Sequence, residues 1–146
     1  MKTSIQYFKL QAKNFFRDFK TQELGEDGLY CYKPRFFNDL NEIIVSFDIN
    51  EDDFSLMKAQ QIIAYLSGVQ NWTELIHAEQ TKLEIARILL ENRTNPESLF
   101  PTVDEWKYYI DTVEQMNGPI SEEEKLELLQ YFLGIKDTNE DGRIKE

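Results

Sequence analysis

The chain has 146 residues, 41% hydrophobic and 13% aromatic, and its 16 Lys/Arg against 27 Asp/Glu give a formal net charge of −11. That length fits one domain of ordinary size spanning 1–146, and ten Phe, seven Tyr and two Trp exclude the aromatic-poor disordered class. No apolar run approaches a membrane span, the opening Met1-Lys2-Thr3-Ser4 is unlike a signal peptide, and the lone cysteine, Cys31, fits a reducing compartment, so a soluble cytoplasmic protein is expected.

From the N-terminus, Ile5, Phe8, Ala12, Phe15, Phe16 and Phe19 recur at helical spacing and predict a helix over 4–21 with one apolar face. Lys9, Lys13, Arg17 and Lys20 fall elsewhere on the turn and form a basic outer strip. Gly25 and Gly28 break the pattern, and 29–33 (LYCYK) reads as a short extended piece bounded by Pro34. Phe36, Phe37, Leu40, Ile43, Ile44 and Phe47 resume helical spacing, followed by an acidic loop at 48–53. Ser55 is an N-cap for a helix lined by Leu56, Ala59, Ile63 and Leu66, which Gly68 can end in the left-handed conformation. Asn71 with Glu74 reads as a capping box, and Trp72, Leu75, Ile76, Leu83, Ala86 and Leu90 carry a helical pattern to about Asn92.

Beyond a proline-containing loop at 94–101, Thr102 with Glu105 makes a second capping box, and Trp106, Tyr109, Ile110, Val113 and Met116 form a buried stripe. Asn117-Gly118-Pro119 stops that helix. Ser121 with Glu124 is a third box, opening a helix through Leu126, Leu129, Phe132 and Leu133 to Gly134. Residues 136–146 read as a flexible acidic tail. The expected fold is all-α, a compact single-domain bundle of six or seven short helices with room for one short extended segment at 29–33.

The stretch 55–78, SLMKAQQIIAYLSGVQNWTELIHA, resembles a helical module of bacterial proteins described as glyoxalase-related, whose function is unassigned. Ala59, Ala64, Gly68, Trp72, Leu75 and Ala78 carry the resemblance, and Ala12 to Thr21 is similar to the start of that module. The resemblance implies no glyoxalase chemistry, which needs several metal-binding His and Glu residues where this chain has one histidine. Read from the residues alone, these positions are structural. Gly68 allows a positive φ, Trp72 anchors a helix, and the alanines permit close helix approach.

The same stretch resembles a DNA-binding helix-turn-helix, through Gln60 or Gln61, Ala64, Gly68 and Val69. Its register fails where Glu74 takes the place of a buried aliphatic residue, and the would-be recognition helix carries Glu74, Glu79 and Glu84 against Lys82 and Arg87. Duplex binding depends on neutralising phosphates, so nucleic acid is the disfavoured partner. The tail Asp137-Thr138-Asn139-Glu140-Asp141-Gly142-Arg143-Ile144 matches the first eight positions of a calcium-binding EF-hand loop, with Asp137, Asn139 and Asp141 as oxygen donors. The bidentate glutamate of the twelfth position falls beyond Glu146, so any calcium affinity is expected to be low and no cofactor is expected. His77 has no second His or Cys at metal-ligand spacing, and a Cys31–His77 catalytic pair would need a third orienting group. No phosphate loop or nucleophile elbow is present.

Charge is unevenly placed. Residues 1–35 hold seven cations and four acids, +3, while residues 36–146 hold nine and twenty-three, −14. With no catalytic constellation, the expected function is a non-enzymatic interaction module, of inhibitor, antitoxin or immunity type, docking a basic protein partner. The candidate contact residues are Asp104, Glu105, Tyr108, Tyr109, Glu122, Glu123 and Glu124. Tyr108 and Tyr109 lie about 100° apart on a helix and cannot both face one core. A nucleic-acid-associated regulator, using the 55–78 hairpin with the basic first helix as contact surface, is the alternative.

Overall fold

Phe8, Ala12, Phe15 and Phe19 stand on one face of the first helix and are buried, so this face must be covered. The covering decides the rest of the architecture. In the computed structural model, which describes residues 3–95 and 103–134, the elements run α1 (Ile5–Phe19), β1 (Glu23–Leu24), β2 (Tyr30–Cys31), α2 (Leu40–Ser46), α3 (Leu56–Leu66), α4 (Trp72–Ile76), α5 (Gln80–Asn92), α6 (Val103–Asn117) and α7 (Glu122–Leu133). The fold is a mostly helical bundle of seven short helices among the described residues, with one minor two-stranded sheet. The acidic tail at 136–146 and the capping box at Thr102 lie outside the described residues. None of the described helices is long and apolar enough to cross a membrane.

Helix α1 packs on α3, α3 on α5, and α5 on α7. Ala12, Ala59 and Ala64 are all fully buried, and their small side chains let α1 and α3 approach closely. Phe54 completes this layer, its ring 4.3 Å from that of Phe19 and 5.8 Å from that of Phe15. Helix α5 is buried on two sides. Leu83, Ala86 and Leu90 join the core of α1–α4, while Ile85, Ile88 and Leu89 join a second core with Val103, Trp106, Ile110 and Leu129.

The cap signals act largely as the sequence implies. Ser55 accepts from the Lys58 N–H at 3.2 Å, and Ser121 with Glu124 forms a reciprocal capping box. Asn71 accepts from the Glu74 N–H at 2.8 Å, a one-sided cap. Gly68, Gly118 and Gly134 have positive φ where helices α3, α6 and α7 end.

Two local readings are corrected and one is completed. The extended piece expected at 29–33 is present as β2 and pairs with β1 in a hairpin, with Glu23 opposite Cys31 and Leu24 opposite Tyr30 in antiparallel register. It is fastened from outside. Tyr30 donates to Asp52, Tyr32 to Glu51 at 2.5 Å, and Gln22 bridges the Tyr32 hydroxyl and the Glu51 carbonyl. The helical spacing from Phe36 overshoots, since α2 begins only at Leu40. The buried Asp18 carboxylate accepts the N–H groups of Arg35, Phe36 and Phe37 at 2.8, 2.9 and 2.6 Å, and this anchors the segment as a turn leading into the helix. The pattern from Asn71 to Asn92 divides into α4 and α5. His77 Nδ1 lies 2.7 Å from the Thr73 carbonyl, the Ala78 N–H closes a tighter turn onto Leu75, and Glu79 is extended, so the i→i−4 ladder stops there.

Several tyrosines are tied into this framework in their neutral form. Burial, then the charge of Glu91, pushes the Tyr7 hydroxyl up to about 12 from 10.0. Tyr32 and Tyr65 are raised by burial and by the carboxylates of Glu51 and Asp104 that accept their protons, and Tyr30 is raised chiefly by its bond to Asp52. A phenol whose folded pKa exceeds its unfolded value holds its proton more tightly when folded. This contribution is fully present below pH 10.0 and is lost as the pH rises through about 12. The urea midpoint is therefore expected to fall progressively over that window, and Tyr7→Phe should flatten the fall. An alkaline limb identical in wild type and Tyr7→Phe would show that Tyr7 does not contribute.

Candidate functional site: an acidic, aromatic-lined cleft

Helices α2, α3 and the start of α6 leave an open cleft of about 1230 Å³. Its floor is an ion pair in which the Arg93 guanidinium grips Asp39 with two bonds of 2.9 Å. Both side chains are largely buried, at 17% and 11% exposure, and Arg93 also lies over the Phe37 ring at 4.8 Å. That aromatic stacking and the two-pronged contact hold the guanidinium in one orientation.

The walls are aromatic and acidic. Phe47 meets Tyr65 edge to face at 4.9 Å, and Phe36 is 43% exposed at the rim. Tyr65 donates to Asp104, its hydroxyl 2.9 and 3.0 Å from the two carboxylate oxygens. Glu42 is exposed on the α2 side. Lys107 Nζ lies 5.4 Å from the Tyr65 ring centroid. With Arg93 committed to Asp39, the carboxylates of Glu42 and Asp104 line the open part of the cleft.

The candidate residues divide between two places. Asp104 lines the cleft, and Glu105 and Tyr108 are exposed on the same helix, Tyr108 by 75% and one turn beyond Asp104. Tyr109 turns inward, stacking on Trp106 and meeting Phe132 edge to face at 5.3 Å. Glu122 lies instead in a separate, smaller depression with Asp111, Glu114, Lys107 and Lys125. Glu122, Glu123 and Glu124 form the first turn of α7, where negative charge complements the helix dipole. Within that turn Glu124 is engaged in the capping box and Glu122 pairs with Lys125 at 3.3 Å.

Sequence reading missed Tyr65, Glu42, Asp39 and Arg93. Tyr65 did carry a signal, an aromatic side chain off the Leu56–Ala59–Ile63–Leu66 stripe. Arg93 carried none, because its partner is 54 residues away.

The remaining chemistry-bearing residues stay apart. Cys31 is exposed on β2, and no hydrogen bond joins it to His77. Among the described residues no group of three His, Cys, Asp or Glu is placed to hold a metal, and Asp137, Asn139 and Asp141 lie outside them. Every buried side-chain polar atom among the described residues has a hydrogen-bond partner. The helix-turn-helix reading meets α3, a turn at Gly68 and a following helix of five residues whose Trp72 and Leu75 are buried. Fold and site together define a small helical bundle with an acidic, aromatic-bearing face. No family model, curated protein or solved structure matches the chain.

Proposed function

We propose that the protein is a non-enzymatic interaction module, acting in the cytoplasm, that docks a basic protein partner on the α2–α3–α6 cleft and the adjoining face of α6. The observation that carries this reading is the pairing of exposed carboxylates, Glu42 and Asp104, with exposed aromatic surface from Phe36, Tyr65 and Tyr108. Aromatic anchors supply most of the affinity at protein interfaces, and complementary charge speeds and orients encounter. The acidic α7 turn extends the field without entering the cleft. An inhibitor, antitoxin or immunity-type protein fits this arrangement, its carboxylates standing where a nucleic-acid enzyme binds phosphates.

The test is affinity capture from a nuclease-treated lysate at low and moderate salt, comparing the wild type with Glu42→Lys and Tyr108→Ala. One basic protein should be retained by the wild type and released as salt rises. Glu42→Lys should abolish capture, and Tyr108→Ala should weaken the isolated complex about tenfold, the loss of more than 1 kcal/mol common for an interface anchor. Retention that ignores salt, or that is equal in the variants, would overturn the proposal.

A further inference from the structure

The outer face of α1 gathers four exposed cations along one helix, with exposed Lys33 and Arg35 beyond its C-terminal end. Lys9, Lys13, Arg17 and Lys20 are all exposed. In a chain with 27 acids and 16 cations, a cation is expected to have an acid beside it. The five ion pairs among the described residues use Lys58, Lys82, Arg87, Arg93 and Lys125, and none of the α1 strip. Arg17 reaches only Asn14 Oδ1, at 3.3 Å, and Lys20 sits over the Phe16 ring at 4.4 Å. The single acid of α1, Asp18, is 1% exposed and bound by three N–H groups. Arg17 and Lys20 complement the negative end of the helix dipole, but Lys9 and Lys13 lie mid-helix, where that role does not exist.

The spacing of the four places them along one side of the helix over about 16 Å. Helix α1 packs chiefly on α3, whereas α7 packs on α5. Helices α6 and α7 with their connection hold eight carboxylates and two lysines. The excess of carboxylates on α6 and α7 therefore repels a polyanion, while the α1 strip attracts one.

The nature of the surface separates two kinds of polyanion. A protein interface needs a desolvated apolar centre, and the strip offers only Leu10, 50% exposed. A nucleic-acid backbone needs charge in register and no apolar centre. We infer that the outer face of α1 binds the phosphate backbone of a nucleic acid without reading its sequence. This surface is independent of the cleft that docks the basic partner, and either can fail without the other.

The experiment is fluorescence anisotropy with the full chain and a labelled DNA oligonucleotide of about 20 nucleotides, single-stranded and as duplex, across a salt series. Four phosphate contacts should give a log affinity against log salt slope of about −3.6 on duplex and about −2.8 on the single strand. Lys9→Gln/Lys13→Gln/Lys20→Gln, all at exposed positions, should leave the helical circular dichroism unchanged and cut the duplex slope to about −0.9. Polyglutamate of matched charge should compete poorly. No binding at micromolar protein in low salt, a slope the triple variant leaves unchanged, or equal competition by polyglutamate would each overturn the inference.

Discussion

Asp18→Ala is expected to cost about 3–5 kcal/mol of folding stability. The Asp18 carboxylate, 1% exposed, is the acceptor for the N–H groups of Arg35, Phe36 and Phe37. Each buried donor left without a partner costs about 1–3 kcal/mol, and partial access of water to Arg35 and Phe36 keeps the sum below the additive limit. Against a usual total of about 5–15 kcal/mol, such a loss threatens folding at physiological temperature. Asp18→Asn keeps one acceptor oxygen and should recover part of the loss. Urea unfolding gives the magnitude, and amide exchange at residues 35–37 locates it. If exchange there stays as slow in Asp18→Ala as in the wild type, the carboxylate is not what holds the segment. The consequence reaches the cleft, because this turn sets Phe36 at its rim and Phe37 beneath Arg93.

The second large effect belongs to Gly68. Its φ of +81° lies in the left-handed region, and an added Cβ would sit 2.7 Å from Leu89 Cδ1. The backbone term for a residue with a Cβ is about 1–2 kcal/mol. Overpacking against the buried Leu89 adds about 1–3 kcal/mol, so Gly68→Ala should lose about 2–5 kcal/mol in all. A double-mutant cycle separates the two terms. In a Leu89→Ala background the steric part should vanish while the backbone part remains, leaving about 1–2 kcal/mol for the glycine substitution. A full-size loss in both backgrounds would assign the whole effect to the backbone. The position matters because Gly68 turns the chain from α3 toward α4 at the seam where the first core meets the second.

The protein carries two unlike charged surfaces, and neither is visible in the net value of −11. Exposed carboxylates gather on α6 and α7, and exposed lysines outside the ion pairs lie on α1. The binding experiments on Glu42, Tyr108 and the α1 lysines probe these surfaces separately.

Much of the helical layout was legible from sequence because its signals are local. The stripes Phe8–Ala12–Phe15–Phe19 and Trp106–Ile110, the caps at Ser55 and Ser121, and the glycine stops at 68, 118 and 134 each act within a few residues, so periodicity and capping chemistry suffice to read them. The same locality made Tyr108 and Tyr109 point in different directions before any packing was known. Tertiary structure alone decided what depends on distant partners. Asp18 reaches seventeen to nineteen residues ahead to stop a helix from starting at Phe36, and Tyr30 and Tyr32 reach about twenty to fasten a hairpin two residues wide. Arg93 finds Asp39 across 54 residues to make the floor of the cleft, and Tyr65 finds Asp104 across 39 to make its wall. A single polar residue has no periodicity, so its partner is fixed only when the apolar faces have packed and left the two within hydrogen-bonding distance.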